Sequence, residues 1–378
     1  MNTSDKKRIL VNYTGRNGGG PIDAIEMTKG FIKNGHRVSA IISEQVSNRK
    51  AWRELPLDKL LEVRTYDGYL SYLQRTAQLQ LGEKRRIKNQ LGNKYDLIYC
   101  PMITPWTGMI NSLFPDITTC VVNHDPIPHS KDVRHFLLKL NGIGDVYKKA
   151  DYIVVHSKGF LEYIEQSYGK LGKTLYVPLG PHNLKAAKKQ DYYSENTTNF
   201  LFFGRIEHYK GVDILLKAYK TLRDEKEDVA LYIVGNGDIT SYQHLIEHTQ
   251  DVHVFNRWIE DDEVGDFFNG EGVVLVLPYR DATQSGPAVI ALEYGIPTIA
   301  SNAGGLKEQV IHGKTGLLVE PENEEELYLA MRKLAGDSGF YSKLCEGAKI
   351  ELGKIGWEQS AKKIIEFMDH IGGKDETF

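Results

Sequence analysis

Short runs of β-branched, leucine and aromatic residues recur along this chain, and helical periodicity fills the stretches between them. Parallel strands can rejoin one another only through a crossover connection, so this alternation predicts parallel sheets covered by helices. The first half offers strands at Arg8–Tyr13, Arg37–Ile42, Tyr95–Cys100, Thr119–Asn123, Asp151–His156 and Thr174–Val177, with long helical segments between them. The stretch from Gly180 to Asn199 is polar and lacks clear periodicity, which reads as a linker. The pattern then restarts, with strands at Asn199–Phe203, Ala230–Val234, Val252–Phe255, Val273–Leu277, Thr298–Ala300 and Leu317–Val319. A length of 378 residues suits two such domains. The expected fold class is α/β, with two Rossmann-like doubly wound domains facing each other across a cleft.

Composition narrows the function. Hydrophobic residues make up 41% and charged residues 26%, the proportions of an ordinary globular protein. A formal net charge of −3 argues against a dedicated nucleic-acid binder, which is normally basic. Cys100, Cys120 and Cys345 form no disulfide framework and lack metal-like spacing, which suits a reducing compartment. The N-terminal MNTSDKKRILVNY runs into a strand without the apolar core of a signal peptide. No apolar run approaches the ~20 residues that span a bilayer. The expectation is a cytoplasmic chain, at most peripheral at the inner face of a membrane. The basic stretches Lys84–Lys94 and Lys131–Lys149 are the candidates for such contact, although most runs of this kind are solvated helix faces.

The residues that carry chemistry lie in the second half. The segment FFGRIEHYKG ends a strand at Gly204-Arg205 and places Lys210 just before a helical pattern. Two cations therefore arrive at the carboxyl end of a strand, where open α/β sheets bind ligands. Further along, TQSGPAVIALEYG opens a helix at Gly286-Pro287, with Ala288 and Val289 in its first turn and Glu293 further on. Helix N-terminal amides suit an anion. Arg, Lys and a helix N-terminus together describe a diphosphate, and a carboxylate accepting from two adjacent hydroxyls suits a ribose. Arg205 and Lys210 alone also suit solvated loop charges, and Glu293 alone a surface carboxylate; their co-occurrence favours a nucleotide-sugar site. Gly235-Asn236-Gly237-Asp238 reads as a tight turn after a strand. No Gly-x-Gly-x-x-Gly follows a strand, which weakens a nicotinamide-dinucleotide reading, and no Asp-x-Asp or other metal-ligand cluster is visible.

FFGRIEHYKGVDILLKAY, the GNGD turn and SGPAVIALEYGIPTIASNAGGLKEQVIHGKTGLLV resemble the C-terminal domain of retaining GT-B glycosyltransferases. The likeness is to the large group 1 family typified by sucrose synthase and bacterial mannosyl- and glucosyltransferases. NGGGPIDAIEMTKGFIKNGHRVSAII is similar to that family's N-terminal glycine-rich loop, helix and second strand. The resemblance implies a GT-B fold: an acceptor domain over residues 1–180, a donor domain over 181–356, and a C-terminal helix (about 357–378) packing back on the first. It implies a retaining, metal-independent hexosyltransferase without cofactor. The substrates would be a UDP- or GDP-sugar and a glycan or lipid-linked acceptor, in cell-surface polysaccharide or glycoconjugate synthesis.

Residue by residue, the resemblance makes Arg205 and Lys210 the pair that binds the donor diphosphate, with Gly204 before them. Glu293 matches the second Glu of Glu-x7-Glu and would hold the ribose. Gly18, Gly19 and Gly20 match the loop that approaches diphosphate and acceptor. His124 resembles the histidine that contacts the donor sugar, although a strand-end histidine is often structural. Trp258 and Ile259 lie where the family places its nucleobase pocket, with core packing as the plainer alternative. The first Glu of the motif is replaced by Ser285, preceded by Gln284, so donor-sugar contacts fall to Gln284 and Ser285, while the backbone amides of Gly286, Ala288 and Val289, with Pro287 among them, remain for phosphate. The same residues leave two rival readings: a nucleotide-sugar epimerase on this fold, and a catalytically silent sugar-nucleotide-binding subunit.

Overall fold

The computed structural model describes residues 6–124, 143–184, 192–193, 196–225 and 228–372. It divides into two units, Met1–Gly180 with Gly356–Phe378 and Pro181–Ile355. Asp125, next to His124, and residues 131–142 of the second basic stretch lie outside the described residues.

The first unit holds seven parallel strands: β1 (Arg8–Tyr13), β2 (Arg37–Ser43), β3 (Lys59–Val63), β4 (Leu97–Cys100), β5 (Thr119–Asn123), β6 (Tyr152–Val155) and β7 (Thr174–Tyr176). Their order is β3-β2-β1-β4-β5-β6-β7. β1 pairs with β2 on one side (Ile9↔Val38) and with β4 on the other (Ile9↔Leu97). Strand order therefore reverses between β1 and β4, the place at whose carboxyl edge open α/β sheets bind ligands. The pattern of apolar runs does not announce β3. Its KLLEV is an edge strand whose charged Lys59 and Glu62 break the apolar run, and only Val63 is fully buried. Helices between strands are also less even than expected: Gly20–Lys33 has 14 residues, whereas Arg49–Arg53 and Thr107–Asn111 have 5 each.

The second unit holds β8 (Thr198–Phe203), β9 (Val229–Val234), β10 (Val252–Phe255), β11 (Val273–Leu277), β12 (Thr298–Ser301) and β13 (Gly316–Val319). The order β10-β9-β8-β11-β12-β13 repeats the plan, with the reversal between β8 and β11. VALYIV of β9 and VVLVL of β11 are buried at every position, as continuous apolar strands covered on both faces must be. Around them Phe200, Phe202, Leu215, Tyr219, Phe267 and Phe268 complete one core.

The stretch Gly180–Asn199, expected as a linker, is not one along its whole length. Tyr192 stacks on Phe267 at 4.4 Å between centroids, and the Tyr193 hydroxyl donates to the Phe267 carbonyl. These two aromatics bury more apolar surface than the surrounding polar residues suggest, so this part docks on the second unit. The helix Trp357–Gly372 belongs to the first unit. It packs on the helix Gly20–Lys33 so closely that a Cβ on Gly30 would lie 2.4 Å from the Trp357 carbonyl oxygen. Asn34 Nδ2 donates to the Glu358 carbonyl at 2.8 Å, and Lys7 pairs with Asp369 at 2.6 Å. Among the described residues no helix is long and apolar enough to cross a membrane.

Candidate functional site

In the second unit the two loops that flank the strand-order reversal carry the candidate residues. After β8 the chain turns at Gly204, whose φ of +133° disfavours any side chain. A Cβ there would also lie 3.1 Å from Lys210 Nζ. Gly235, after β9, has φ +135°, and a Cβ on it would sit 2.0 Å from the Gly204 carbonyl oxygen. Two bare backbones thus let the strand ends converge and leave the Lys210 amine its space. Lys210 closes the short 3₁₀ turn His208–Lys210 and is only 9% exposed. Its Nζ donates to the Tyr279 hydroxyl at 2.8 Å and lies 4.4 Å from that ring's centroid. Burial pushes the Lys210 pKa down, and the nearby Tyr209 acts against this. Arg205 is half-exposed and pairs with Glu207 at 2.7 Å.

Tyr279 and Arg280 follow β11, and the sequence reading missed both. Arg280 forks onto Asp213 (3.0 and 2.7 Å), donates to the His208 carbonyl (2.7 Å) and pairs with Glu322 (2.9 Å). It thereby ties the β11 loop to the turn that carries Lys210 and to the start of the helix Val212–Glu225. The signal was available in principle: Tyr-Arg at the carboxyl end of an apolar strand beside the reversal is a binding position.

Beyond Tyr279 the loop reaches Ser285 and the helix Gly286–Tyr294. Gln309, also missed, grips the Ser285 peptide from both sides: its Oε1 accepts from Ser285 N at 2.8 Å, and its Nε2 donates to Ser285 O at 3.1 Å. No spacing rule links Gln309 to Ser285, so nothing in the sequence pointed to it. Ser285 occupies the N-cap position without a side-chain capping bond. It is buried, and its hydroxyl lies against the Tyr279 phenol, whose own pKa is pushed up chiefly by burial. Pro287 sits in the first turn; Ala288 and Val289 are buried, and Gly286 and Gln284 flank Ser285.

Glu293, about two turns on, turns its carboxylate to the chain entering this unit. One oxygen accepts from His182 N and the other from Asn183 N at 3.0 Å. Burial raises its pKa, against the pull of these amides and of the His182 ring. The Leu184 amide adds to this pull, and since a carboxylate has about four acceptor positions, three amides leave room for a single hydroxyl. The His182 ring also lies over the helix start, where a Cβ on Gly286 would come within 3.2 Å of its Cε1. Of the pair after β10, Trp258 is 47% exposed and Ile259 is buried in the core. The turn Gly235–Asp238 is pinned by Gly237 N donating to Asn256 Oδ1 at 3.0 Å.

The first unit has its own cluster at the carboxyl edge. Gly18 has φ +88° and Gly19 is the N-cap of the helix Gly20–Lys33; neither would meet an atom within 4 Å if given a Cβ. Thr14 Oγ1 and Thr104 Oγ1, 2.5 Å apart, bind the loop after β1 to the loop after β4. His124, after β5, lies 2.7 Å by Nε2 from the Pro101 carbonyl, so that nitrogen carries the proton. Its Nδ1 is 3.9 Å from buried Asp23, on the first turn of the Gly20 helix. His156 stands 4.9 Å from the His124 ring and hydrogen-bonds the Val177 carbonyl at 2.8 Å. Burial, with His124 adding to it, brings the His156 pKa down to about 3, so it stays neutral. Among the described residues no group of three or more His, Cys, Asp or Glu could hold a metal ion.

Comparison with known proteins adds three findings. The sequence profile of the family described as Glycosyl transferases group 1 matches residues 197–337. A D-inositol 3-phosphate glycosyltransferase from Streptomyces bingchenggensis is 30% identical over 173 residues, 43% of this chain. The matches span 43% and 38% of the first two curated relatives' own lengths. Among solved structures, Anabaena HepE in complex with UDP and glucose superposes with a TM-score of 0.71 at 16% identity, covering 96% of this chain and 99% of that one. Sucrose-phosphate synthase from Thermosynechococcus elongatus gives 0.72 at 17% identity, covering 98% and 100%. At such identities these likenesses establish the fold.

Proposed function

We propose that this chain, a group 1 glycosyltransferase with the GT-B fold, moves a sugar from a nucleotide-diphosphate sugar to an acceptor hydroxyl, with retention at the anomeric carbon. One observation carries the reading. Lys210 and Arg205 leave β8, Tyr279 and the Gly286 helix leave β11, and these are the neighbouring strands between which the order reverses. Cations and a helix N-terminus at that place suit a diphosphate. HepE, whose fold this chain shares, was solved with UDP and glucose, which favours UDP-sugars as the first donors to try; GDP-sugars follow. Relatives named D-inositol 3-phosphate glycosyltransferase and lipopolysaccharide 1,2-N-acetylglucosaminetransferase favour a glycan or lipid-linked acceptor.

In this reading the second unit holds the nucleotide. The Lys210 amine and the Arg205 guanidinium take up charge as the sugar–oxygen bond to the diphosphate breaks. The acceptor oxygen bonds to the anomeric carbon from the face the diphosphate leaves, and the departing phosphate oxygen takes the acceptor's proton. No protein nucleophile is required. Glu293 holds the ribose, and the amides at the helix start meet the phosphates. Positioning and leaving-group stabilisation then supply the catalysis. The two cations serve where a metal would, so activity should survive a chelator.

Incubation with a panel of UDP- and GDP-sugars tests this against its rivals. Slow release of nucleoside diphosphate supports the transferase. Conversion of the donor to an isomer would make the protein an epimerase, and tight binding without turnover a silent binding subunit.

A further inference from the structure

One helical run of the first unit has the wrong outer face for a solvated helix. It comprises Tyr69–Gln78, a π-helical turn Leu79–Glu83 and Lys84–Leu91. Its inner face is settled: Leu79, Ile87 and Leu91 are buried in the core, and Trp106 Nε1 donates to Thr76 Oγ1 at 3.0 Å. On the opposite side Leu70, Leu73, Ala77, Leu81, Arg85 and Lys88 are all exposed, at the three- and four-residue spacing of one helix face. Leu70 is 82% exposed, Leu73 48% and Leu81 89%. Solvent faces are normally polar, so aligned leucines of this exposure ask for a partner.

The charge says which partner. From Tyr69 to Lys94 the cations are Arg75, Lys84, Arg85, Arg86, Lys88 and Lys94, against the single acid Glu83. Among the described residues none of Lys84, Arg85, Arg86 and Lys88 is in an ion pair, Lys84 donating instead to Gln80 Oε1 at 2.6 Å, although the whole chain carries a net charge of −3. Leucines that end in a block of cations without carboxylate partners match a bilayer: the leucines enter the acyl boundary and the cations meet anionic headgroups. The location adds to this. The run begins just past Tyr66 and Asp67, and Arg16, in the loop leading to Gly18–Gly20, donates to the Tyr66 carbonyl at 2.5 Å and lies 3.7 Å from Asp67. The outer face therefore starts beside the glycine loop at the carboxyl edge of the first sheet.

We propose that Leu70, Leu73 and Leu81 with Lys84, Arg85, Arg86 and Lys88 form a docking face for an anionic lipid bilayer. A lipid-borne acceptor would then be presented at the adjoining carboxyl edge, a consequence that rests on the transferase reading; the docking itself does not.

Co-sedimentation of the full chain with vesicles tests it. The wild type should bind vesicles containing phosphatidylglycerol and leave phosphatidylcholine vesicles alone, with binding that weakens as salt rises. Each cation near an anionic surface contributes about fivefold to binding. Changing Lys84, Arg85, Arg86 and Lys88 together to Glu should lower binding at least a hundredfold, and L70D with L81D about tenfold or more. Both variants alter surface side chains, of which only Lys84 is half-buried, and should keep the wild-type unfolding temperature and donor turnover. The proposal is overturned if the wild type ignores phosphatidylglycerol, or if both variants bind as well as it does. It is also overturned if, without lipid, L70D with L81D converts a dimer to a monomer, which would assign the leucines to self-association. Failure of the transferase reading would show separately, as absent nucleotide release with vesicle binding intact.

Discussion

Lys210 concentrates the conflict between stability and function. A lysine with a lowered folded pKa makes the folded state bind fewer protons than the unfolded one below 10.5, so burying its charge costs stability at neutral pH and the cost fades as pH rises. Removing the charge and removing its partner should then act in opposite directions. Lys210→Met should raise the thermal midpoint of the nucleotide-free protein at neutral pH, because a buried cation gives way to an apolar chain of similar length. Tyr279→Phe should lower stability by about 1.5–3 kcal/mol, since it leaves the buried amine without its hydroxyl. Urea unfolding of the two variants measures both signs, and equal shifts in one direction would remove the Lys210–Tyr279 contact from the account. His156 gives a pH counterpart. Its pKa falls from 6.5 to about 3 on folding, so the unfolded chain binds the extra proton between those values. Stability from this group is complete above 6.5 and drains away as the pH falls toward 3. His156→Gln should therefore narrow the gap in unfolding midpoint between pH 7 and pH 5. An unchanged gap would place the acid sensitivity elsewhere.

Among the elements, the close crossing of the Gly20–Lys33 and Trp357–Gly372 helices depends on Gly30. Helix propensity alone says Gly30→Ala stabilises by roughly 0.5–1 kcal/mol. The 2.4 Å approach of a Cβ to the Trp357 carbonyl says the reverse. Backbone cannot step aside as a flexible side chain can, so the contact should win, with a loss of roughly 1–3 kcal/mol visible in chemical denaturation. The elements themselves show what the sequence could tell. β9 and β11 are legible because strands buried on both faces need unbroken apolar runs, and VALYIV and VVLVL have them. β3 was illegible because an edge strand needs no such run. The same logic divides the site. Gly204, Arg205, Lys210 and the Gly286 helix start announce themselves by local chemistry on a short segment. Tyr279, Arg280, Gln309, His182 and Asp23 act through contacts across the fold, and the partner of each lies outside any spacing that can be read along the chain. The docked part of the linker stretch was illegible for a related reason, since Tyr192 and Tyr193 find Phe267 only in three dimensions.

At the scale of the molecule, each of the two sheets places its conspicuous loops where its strand order reverses. The first sheet offers a bare glycine loop, His124 and Asp23; the second offers two cations and a helix start beside Glu293. Such duplication of plan with divergence of chemistry is what the proposed function asks for, with charge for a nucleotide in one unit and open backbone in the other. The measurement that tests this most directly is calorimetric titration of UDP and GDP into the wild type, Arg205→Ala and Lys210→Met. Each variant gives up a charge-assisted contact of ~1.5–3 kcal/mol, so the wild type should bind one of the two nucleotides and both variants should bind it about ten- to a hundredfold more weakly. A wild type that binds neither, or variants that bind as tightly as the parent, would contradict the assignment of this edge to a diphosphate.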